Sequence, residues 1–329
     1  MPYTHLTPFD REKIELLKRA GNTVRQIADE IERSPSTVAR ELARNRDGRG
    51  RYRALKAQMA YRERRLDSVK PRQLESNPRL RGYVEHKLRE DWSPEQIAET
   101  LPLDYPRDRT MRTSHETIYT FVYADKRTHG TLYTHLRRAH RKRRRRSNTY
   151  RTRGLLPGRV GIEKRPKAVE TRRQGGHWEA DLVLGRQGGP AIATLVERKT
   201  GLLLACKVQS KRAYPVGRAI VQVFHAIPDA LIRTITFDNG KEFADFKSIE
   251  QDLNTDAFFA DPYAAWQRGT NENTNGLLRQ YVPKKSDLRN LLERDLQTFV
   301  RALNNRPRKR LNYRTPENTF NKAVVALQR

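Results

Sequence analysis

Three acidic residues lie in sequence frames that suit metal-dependent chemistry on phosphodiesters. Asp181 ends the hexapeptide GHWEAD, Asp238 lies in TFDNG, and Glu272 lies in TNENTNG. Carboxylates that two strand ends and a helix bring together can hold two divalent cations about 4 Å apart, and such pairs of cations cut and join phosphodiesters. The three frames therefore predict a catalytic and metal-binding triad of Asp181, Asp238 and Glu272.

Single members of this set, and the polar residues near them, also fit purely structural roles. An Asp-Asn-Gly sequence is usually a turn, because asparagine and glycine tolerate positive φ, so the frame of Asp238 alone indicates little. Glu179 is the alternative to Asp181 as a ligand, and we expect the two side chains to point to opposite faces of their strand. Asp261 precedes a proline and is interpreted as a turn residue. His177 is interpreted as a structural residue rather than as a base or a metal ligand. The hypothesis rests on the joint occurrence of the three frames.

The segment that carries Glu272 has a helical pattern and places further polar groups near the triad. Asn275 and Arg279 follow at i+3 and i+7, on roughly the same face of a helix. A cation one or two turns from the carboxylate is well placed to grip a phosphate, so Arg279 is predicted to contact DNA together with Asn275. Lys284 and Lys285 extend that surface.

The charge of the chain indicates a polyanionic partner. The 329 residues are enough for two or three domains, and 67 Lys and Arg against 38 Asp and Glu give a formal net charge of +29. Such a charge repels itself unless a polyanion neutralises it, so double-stranded DNA is the expected partner. Charge alone also fits a ribosome-associated or merely soluble basic protein.

Cysteine usage and hydropathy indicate the cellular compartment in which the protein works. Cys206 is the only cysteine, which excludes a disulfide within the chain, and no Cys/His cluster has the spacing of a zinc site. No segment has the pattern of a signal peptide or a membrane span. We therefore expect a cytoplasmic protein with access to DNA and without membrane contact.

Residues 1–46 have the pattern of three short helices. Thr7-Pro8 and Ser34-Pro35 each combine a capping residue with proline at the first helical position. Between them, a helix from Thr23 carries apolar residues at the spacing of an amphipathic helix. Two short helices joined by a tight turn, the second polar and basic, are typical of helix-turn-helix DNA-binding domains, and we predict one here.

The exposed face of the third helix is the predicted reading surface. Thr37, Arg40 and Arg44 fall at i, i+3 and i+7, and Ser36 lies near the helix N-terminus, where recognition helices meet base edges. A solvated helix face has the same pattern, but the charge of the chain favours DNA contact by these four residues.

Residues 91–136 repeat this pattern more weakly. QIA at 96–98 matches QIA at 26–28, and SHETI at 114–118 matches SPSTV at 34–38, after a turn that we expect to contain Pro102 and Pro106. We predict either a second helix-turn-helix-like domain or a structural helical pair, with residues 47–90 as a basic, partly helical linker.

A basic run follows the second helical pair. Eight of the ten residues from Arg137 to Arg146 are Arg or Lys, and such a run repels itself until it meets phosphates. We predict that residues 137–174 form a linker that tracks the DNA backbone, with binding that weakens steeply as salt rises. Its predicted contacts are Arg141, Lys142, Arg143, Arg144, Arg145 and Arg146.

Residues 175–329 have the pattern of an α/β domain. Short apolar runs predict strands at 177–184, 191–197, 202–208, 231–237 and 257–260, and helical patterns lie at 215–226, 241–253 and 271–281. This order is typical of a ribonuclease-H-like, integrase-type core with a mixed five-stranded sheet, followed by a C-terminal helical tail. The first strand then lies at the centre of the sheet beside the fourth, so Asp181 and Asp238 meet. The fold class is multi-domain, an all-α N-terminal part plus this core.

Several motifs together resemble one family. HWEADL, VERKT, FDNGKEF and NENTNGLLRQY, followed by NNRPRKRL and TPE, are similar to those of transposases of the bacterial insertion-sequence family thirty, the IS-thirty family. The resemblance covers nearly the whole chain, and the helix-turn-helix pattern agrees with it. Ala180 stands where the family pattern has glycine, a small-for-small change. Retroviral integrases share the core, but their N-terminal zinc site has no counterpart in this sequence.

The resemblance implies an integrase-type core with the triad carried by Asp181, Asp238 and Glu272. It implies two Mg²⁺ or Mn²⁺ ions per active site, recognition of the terminal inverted repeats of an insertion sequence, and 3′-end cleavage followed by strand transfer into target DNA. Holding two ends together requires a homodimer or a higher oligomer in the DNA complex. The alternative function is a helix-turn-helix repressor with an inactive integrase-like core.

Overall fold

The computed structural model describes residues 5–68, 72–137, 156–262 and 264–327. The chain forms two compact units, Met1–Ser76 and Asn77–Arg329. Within the four described ranges, every helix is too short or too polar to cross a membrane.

The first unit is entirely helical. Its helices are α1 (Pro8–Arg19), α2 (Val24–Glu30), α3 (Pro35–Arg44), α4 (Ala54–Asp67) and α5 (Gln73–Ser76). The predicted capping residues Thr7 and Ser34, and also Thr23 before α2, each accept a hydrogen bond from the backbone N–H three residues on. Such caps satisfy donors that a helix leaves unpaired at its start, so the three predicted helices begin where the sequence indicates.

The core of the first unit extends beyond the predicted domain end at residue 46. Ile14, Ile27 and Val38 are fully buried, and Ala57 of α4 belongs to the same cluster. Arg11 of α1 and Glu41 of α3 form a buried ion pair at 2.8 Å. The stretch that we interpret as a linker, 47–90, is thus divided: α4 packs on the first unit, and the segment from residue 77 belongs to the second.

The second unit begins with three helices, α6 (Pro78–Arg89), α7 (Pro94–Asp104) and α8 (His115–Arg127). Ser93 and Gln96 form a capping box on α7, as Thr23 and Gln26 do on α2. Ser114 caps α8 as Ser34 caps α3. The two similar sequence segments therefore begin their helices with the same kind of capping residue.

Pro102 lies inside α7, so the expectation that it belongs to the following turn was wrong. Proline removes one backbone donor, yet the Tyr105 N–H donates to Leu101 O at 2.9 Å. The helix therefore closes one more turn and ends at Asp104.

The remainder of the second unit is an α/β domain. Its elements are α9 (Ala168–Thr171), β1 (His177–Leu184), β2 (Ala191–Glu197), β3 (Leu203–Val208), α10 (Ala213–Phe224), β4 (Thr234–Phe237), α11 (Phe246–Leu253), β5 (Asp256–Phe259), α12 (Gly269–Leu278), α13 (Glu293–Asn304) and α14 (Pro316–Leu327). The sheet order is β3-β2-β1-β4-β5. The first three strands run antiparallel, and β4 and β5 run parallel to β1. The predicted mixed five-stranded sheet, with β1 at its centre beside β4, is confirmed.

Each face of the sheet has its own hydrophobic core. Trp178, Ala180 and Leu182 of β1 pack with α10, α11 and Phe320 of α14, and Val183 packs on the other face with α12 and α13. The Trp178 indole crosses the Phe224 ring edge to face at 5.0 Å and donates to Leu231 O at 2.8 Å. Even and odd positions of β1 thus face different helices, as strand alternation requires.

The C-terminal motif NNRPRKRL closes the β3 edge of the sheet. The side-chain amide of Asn304 accepts from the Leu203 N–H and donates to Leu203 O, both at 2.8 Å. An exposed strand edge leaves unpaired donors and acceptors, and this amide pairs both backbone groups of Leu203 at that edge. Arg310 donates to Lys199 O at 2.6 Å and so holds the turn between β2 and β3.

A buried charge network fixes α12 against β1. Glu179 is fully buried and pairs with Arg198. Its other carboxylate oxygen accepts from the Asn271 N–H at 2.8 Å, in the first turn of α12. A carboxylate at a helix N-terminus interacts favourably with the unpaired N–H groups and the helix dipole.

We expect Glu179→Gln to destabilise the second unit by about 3–5 kcal/mol, because it leaves Arg198 as a buried charge without its closest partner. The matched control is Asp252→Asn, which removes an exposed carboxylate of the same unit that pairs with the exposed Arg218; exposed pairs contribute less than about 1 kcal/mol. Urea unfolding followed by tryptophan emission reports this unit, since Trp92, Trp178 and Trp266 all lie in it. Equal losses in the two variants would contradict the role of Glu179.

Candidate functional site

The parallel pairing of β1 and β4 brings Asp181 and Asp238 together. Glu179 lies opposite Thr236. Two residues further along, Asp181 is still within β1 and Asp238 has just passed the end of β4, so the two aspartates lie near each other. The guanidinium of Arg268 lies between them, 3.6 Å from Asp181 Oδ2 and 3.5 Å from Asp238 Oδ2. Two carboxylates from separate strands therefore share one counter-cation.

Asp181 is held by its neighbours in a largely desolvated setting. The Leu182 N–H donates to its Oδ1 at 2.9 Å, and Asn275 Nδ2 of α12 donates to its Oδ2 at 3.0 Å. Burial raises the pKa of Asp181 above its usual value, and the nearby Asp238 charge raises it further, whereas Arg268 opposes both. The nearby guanidinium therefore favours the ionised form of this carboxyl.

Asp238 lies in a turn just past β4. Its Oδ1 accepts from the Gly240 N–H at 3.0 Å, the local bond that aspartate makes in such turns. The next residue, Asn239, donates to Ala260 O past the end of β5 and accepts from Arg159 at 2.9 Å. The Asp-Asn-Gly turn and the site are therefore the same feature, because the turn aims the carboxylate at Asp181.

Glu179 and Asp181 lie on the same face of β1, so the expectation of opposite faces was wrong. Side chains two residues apart in a strand share a face, and α12 contacts both, through Asn271 at Glu179 and through Asn275 at Asp181. What separates their roles is burial and pairing: Glu179 is fully buried, and the side chain of Asp181 is 28% exposed.

Glu272 lies in the first turn of α12 and is exposed. Asn275, one turn later, bonds Asp181, so the helix is anchored next to the aspartate pair. Across the described residues, no three His, Cys, Asp or Glu side chains gather into a group that can hold a metal ion. The structure thus brings two carboxylates to one arginine and places the third on the adjacent helix.

The basic residues predicted beyond Glu272 have different surroundings. Arg279 donates to Leu184 O at 2.8 Å, and burial lowers the pKa of Arg279; its guanidinium therefore braces the end of β1. Lys284 and Lys285 are exposed.

His177 and Asp261 both have structural surroundings. His177 is buried, its Nδ1 lies 2.9 Å from Thr234 Oγ1, and burial lowers the pKa of His177 to about 4. Asp261 exchanges two hydrogen bonds with Gln267, at 2.7 and 2.8 Å, and closes a loop. The turn and structural interpretations of these residues agree with these contacts.

The predicted reading surface lies on α3. Ser36, Arg40 and Arg44 are exposed, and Thr37 is half-buried. The Thr37 hydroxyl lies 2.8 Å from that of the capping Ser34. A cavity of about 270 Å³ beside it is lined by Thr37, Arg40 and Arg44 and by Arg64 and Arg65 of α4. The six predicted DNA contacts from Arg141 to Arg146 lie outside the described residues.

Two site residues escaped the sequence reasoning, Arg268 and Asn271. Asn271 lies within the motif of Glu272, directly before the glutamate, and Arg268 is the fourth residue before the glutamate. A basic residue this close to a carboxylate motif is the signal that indicates an ionic partner. The buried role of Asn271 depends on the approach of β1 and has no such signal.

Comparison with known proteins identifies relatives along the whole chain. A family described as a helix-turn-helix domain matches residues 2–45. The transposase InsI for insertion sequence element IS30A of Escherichia coli K12 is 40% identical over 98% of this chain and 84% of its own length. The transposase for IS1086 of Cupriavidus metallidurans is 38% identical over 95% of this chain and 93% of its own length. The transposase for IS4351 of Bacteroides fragilis is 37% identical over 97% of this chain and 96% of its own length.

Among solved structures, the catalytic core domain of BIV integrase aligns with 47% of this chain and 100% of its own, at 18% identity and a TM-score of 0.37. The helix-turn-helix match and the mixed sheet confirm the predicted fold class. Sequence identity near 40% over almost the full length settles the relationship: this chain belongs to the IS-thirty family of bacterial insertion-sequence transposases.

Proposed function

We propose that the protein binds the terminal inverted repeats of its insertion sequence, cleaves the 3′ ends and joins them to target DNA. The observation that carries this proposal is the meeting of Asp181 and Asp238 at one cation, beside the helix that bears Glu272. Phosphoryl transfer needs clustered negative ligands where cations and phosphates meet. The end of β4 beside β1 offers such ligands, because Asp181 and Asp238 approach each other there.

The donor set fits Mg²⁺ or Mn²⁺. Carboxylate oxygens are the ligands that hard cations prefer, and a positive group already lies between Asp181 and Asp238, whose side chains are 28% and 26% exposed. Asp181, Asp238 and Glu272 would hold the ions. When bound, two ions activate the attacking oxygen and stabilise the leaving oxygen of the phosphodiester.

The residues around the carboxylates position them. Asn275 orients Asp181 through its side-chain amide, and the Gly240 N–H orients Asp238. Glu179 holds the start of α12, which sets the distance between Glu272 and β1. Lys284 and Lys285, exposed past the end of α12, are proposed to contact the bound strand.

We propose a division of labour along the chain. Its parts are end recognition by residues 1–46 with α4 packed against them, a helical connection through the rest of 47–90, a second helical pair over 91–136, a basic linker over 137–174 and catalysis by 175–329. Ser36, Thr37, Arg40 and Arg44 would read base edges, and the basic run would bind phosphates. Because both element ends must be held together, the active complex is proposed to contain at least two copies of the chain.

We expect Asp181→Asn, Asp238→Asn and Glu272→Gln each to lower metal-dependent end cleavage by more than about 100-fold, since even groups that support metal ligands cost 10–100-fold when lost. The measurement is nicking and strand transfer of DNA that carries the element's ends, with Mg²⁺ or with EDTA. Binding of the same DNA should persist.

The matched control for these variants is Asp252→Asn, an exposed aspartate of α11 paired with Arg218, which should cleave like the wild type. Full strand transfer by Asp238→Asn would refute the triad. Specific binding of end DNA by the wild type without any metal-dependent cut would instead establish the repressor with an inactive core.

The double variant Thr37→Ala, Arg40→Ala should lower the preference for end DNA over random DNA by at least about tenfold, because each base-edge contact contributes about 1–3 kcal/mol. Competition between end DNA and random DNA for binding, at a fixed salt concentration, measures this preference. The control is Thr117→Ala with Thr120→Ala, the equivalent positions of α8, where Thr117 contacts its capping serine as Thr37 does. A larger loss in the control would assign end reading to the second pair.

Replacing Arg141, Arg143, Arg144 and Arg145 with glutamine should weaken binding to end and random DNA alike. Each lost phosphate contact should reduce the slope of log K against log salt by about 0.9. Titrations at several salt concentrations give the slope. A loss confined to the end sequence would show that this run reads bases.

A further inference from the structure

The cation between the two aspartates belongs to the chain itself. Arg268 is only 14% exposed at its side chain, and its two terminal nitrogens face Asp181 and Asp238. Resting on the proposed function of that pair, we propose that Arg268 is a displaceable counter-cation: it keeps the carboxylates together in the protein without metal, and divalent cations bind as its guanidinium leaves.

The contacts of Arg268 are those of a group that is held weakly. Its distances of 3.6 and 3.5 Å to the carboxylates exceed the 2.7–3.2 Å of N–H···O hydrogen bonds. Nη1 donates to Ala180 O at 3.2 Å, and Nε is buried without a hydrogen-bond partner. An unpaired buried donor carries a desolvation penalty, so this position of the side chain has an energetic cost.

Arg198 provides the contrast within the same strand neighbourhood. Its three guanidinium nitrogens bond Val169 O, Glu170 and the buried Glu179. That arginine is a fixed part of the core. Arg268 has one backbone bond and two long ionic contacts, which is the arrangement expected of a group that exchanges with another cation.

The backbone position of Arg268 allows this exchange. It ends a short 3₁₀ turn, Ala265–Arg268, between β5 and α12. The neighbouring Trp266 is 77% exposed, so the turn lies at the surface. Movement of the side chain therefore leaves β1 and the turn of Asp238 in place.

Electrostatics sets the sign of the effect. A divalent cation and a guanidinium within a few ångströms repel each other, and the repulsion is strong where water is partly excluded. The guanidinium therefore lowers the affinity of the carboxylate pair for metal. A neutral residue at this position leaves two carboxylates that repel each other, and they bind a cation more tightly.

The test is Mn²⁺ binding by the full-length, DNA-free protein, followed by electron paramagnetic resonance of free Mn²⁺. Arg268→Gln should bind Mn²⁺ at least about tenfold more tightly than the wild type, and Arg268→Lys, which keeps the charge, should stay near the wild type. Arg289→Gln removes an exposed charge of the same unit that pairs with Asp287, and controls for net charge. Equal or weaker Mn²⁺ binding by Arg268→Gln would overturn the proposal.

A second measurement uses the wild type alone and so does not depend on the folding of a variant. Phenylglyoxal modification of Arg268, mapped by mass spectrometry of the peptide, should be slow without metal and accelerate when Mg²⁺ saturates the site. An unchanged rate at saturating Mg²⁺ would show that the guanidinium stays in place and would overturn the proposal.

Asp238→Asn separates this inference from the proposed function. If Asp238→Asn weakens Mn²⁺ binding but Arg268→Gln does not strengthen it, the site stands and the displaceable cation is wrong. If Asp238→Asn leaves Mn²⁺ binding unchanged, the metal site itself is wrong. The gain in Arg268→Gln should disappear in the double variant Arg268→Gln, Asp238→Asn.

Discussion

The buried carboxylate of Glu179 is the interaction on which the candidate site depends. A buried charge is tolerated only with close partners, and Glu179 has two of different kinds: the guanidinium of Arg198 and the first turn of α12. Each partner belongs to a different part of the domain. The need to neutralise one charge therefore fixes the helix of Glu272 against the central strand.

This constraint explains why Asp181 and Glu179, on one face of β1, behave differently. The carboxylate of Glu179 has two close, buried partners, Arg198 and the Asn271 N–H, whereas Asp181 shares a loosely held arginine with Asp238. A carboxylate with close, buried partners holds the elements around it together. A carboxylate whose counter-cation is held at 3.5 Å or more keeps the capacity to take another cation. The strength of its pairing, more than its position on the strand, therefore distinguishes the structural role of Glu179 from the proposed catalytic role of Asp181.

Much of the fold followed from local pattern. Caps, proline positions and apolar spacing predicted the helix starts, and the order of strands predicted the sheet with β1 beside β4. What pattern did not predict depends on three-dimensional approach: Pro102 stays helical, and α4 joins the first core. Glu179 and Asp181 share a face, and Arg268 and Asn271 meet β1 only after the loop before α12 folds back.

The two helical pairs show how far a repeated pattern carries. Their caps are equivalent, yet Gln96 also donates to Pro307 O of the C-terminal tail, whereas Gln26 is exposed. The residues of α8 that correspond to Arg40 and Arg44 are Thr120 and Ala124. Capping specifies how a helix begins and hence the shape of the pair, but the exposed face decides what the pair can bind. The face of α8 that carries Thr120 and Ala124 is neutral, whereas the equivalent face of α3 carries Arg40 and Arg44 and so has the charge that binding to DNA requires.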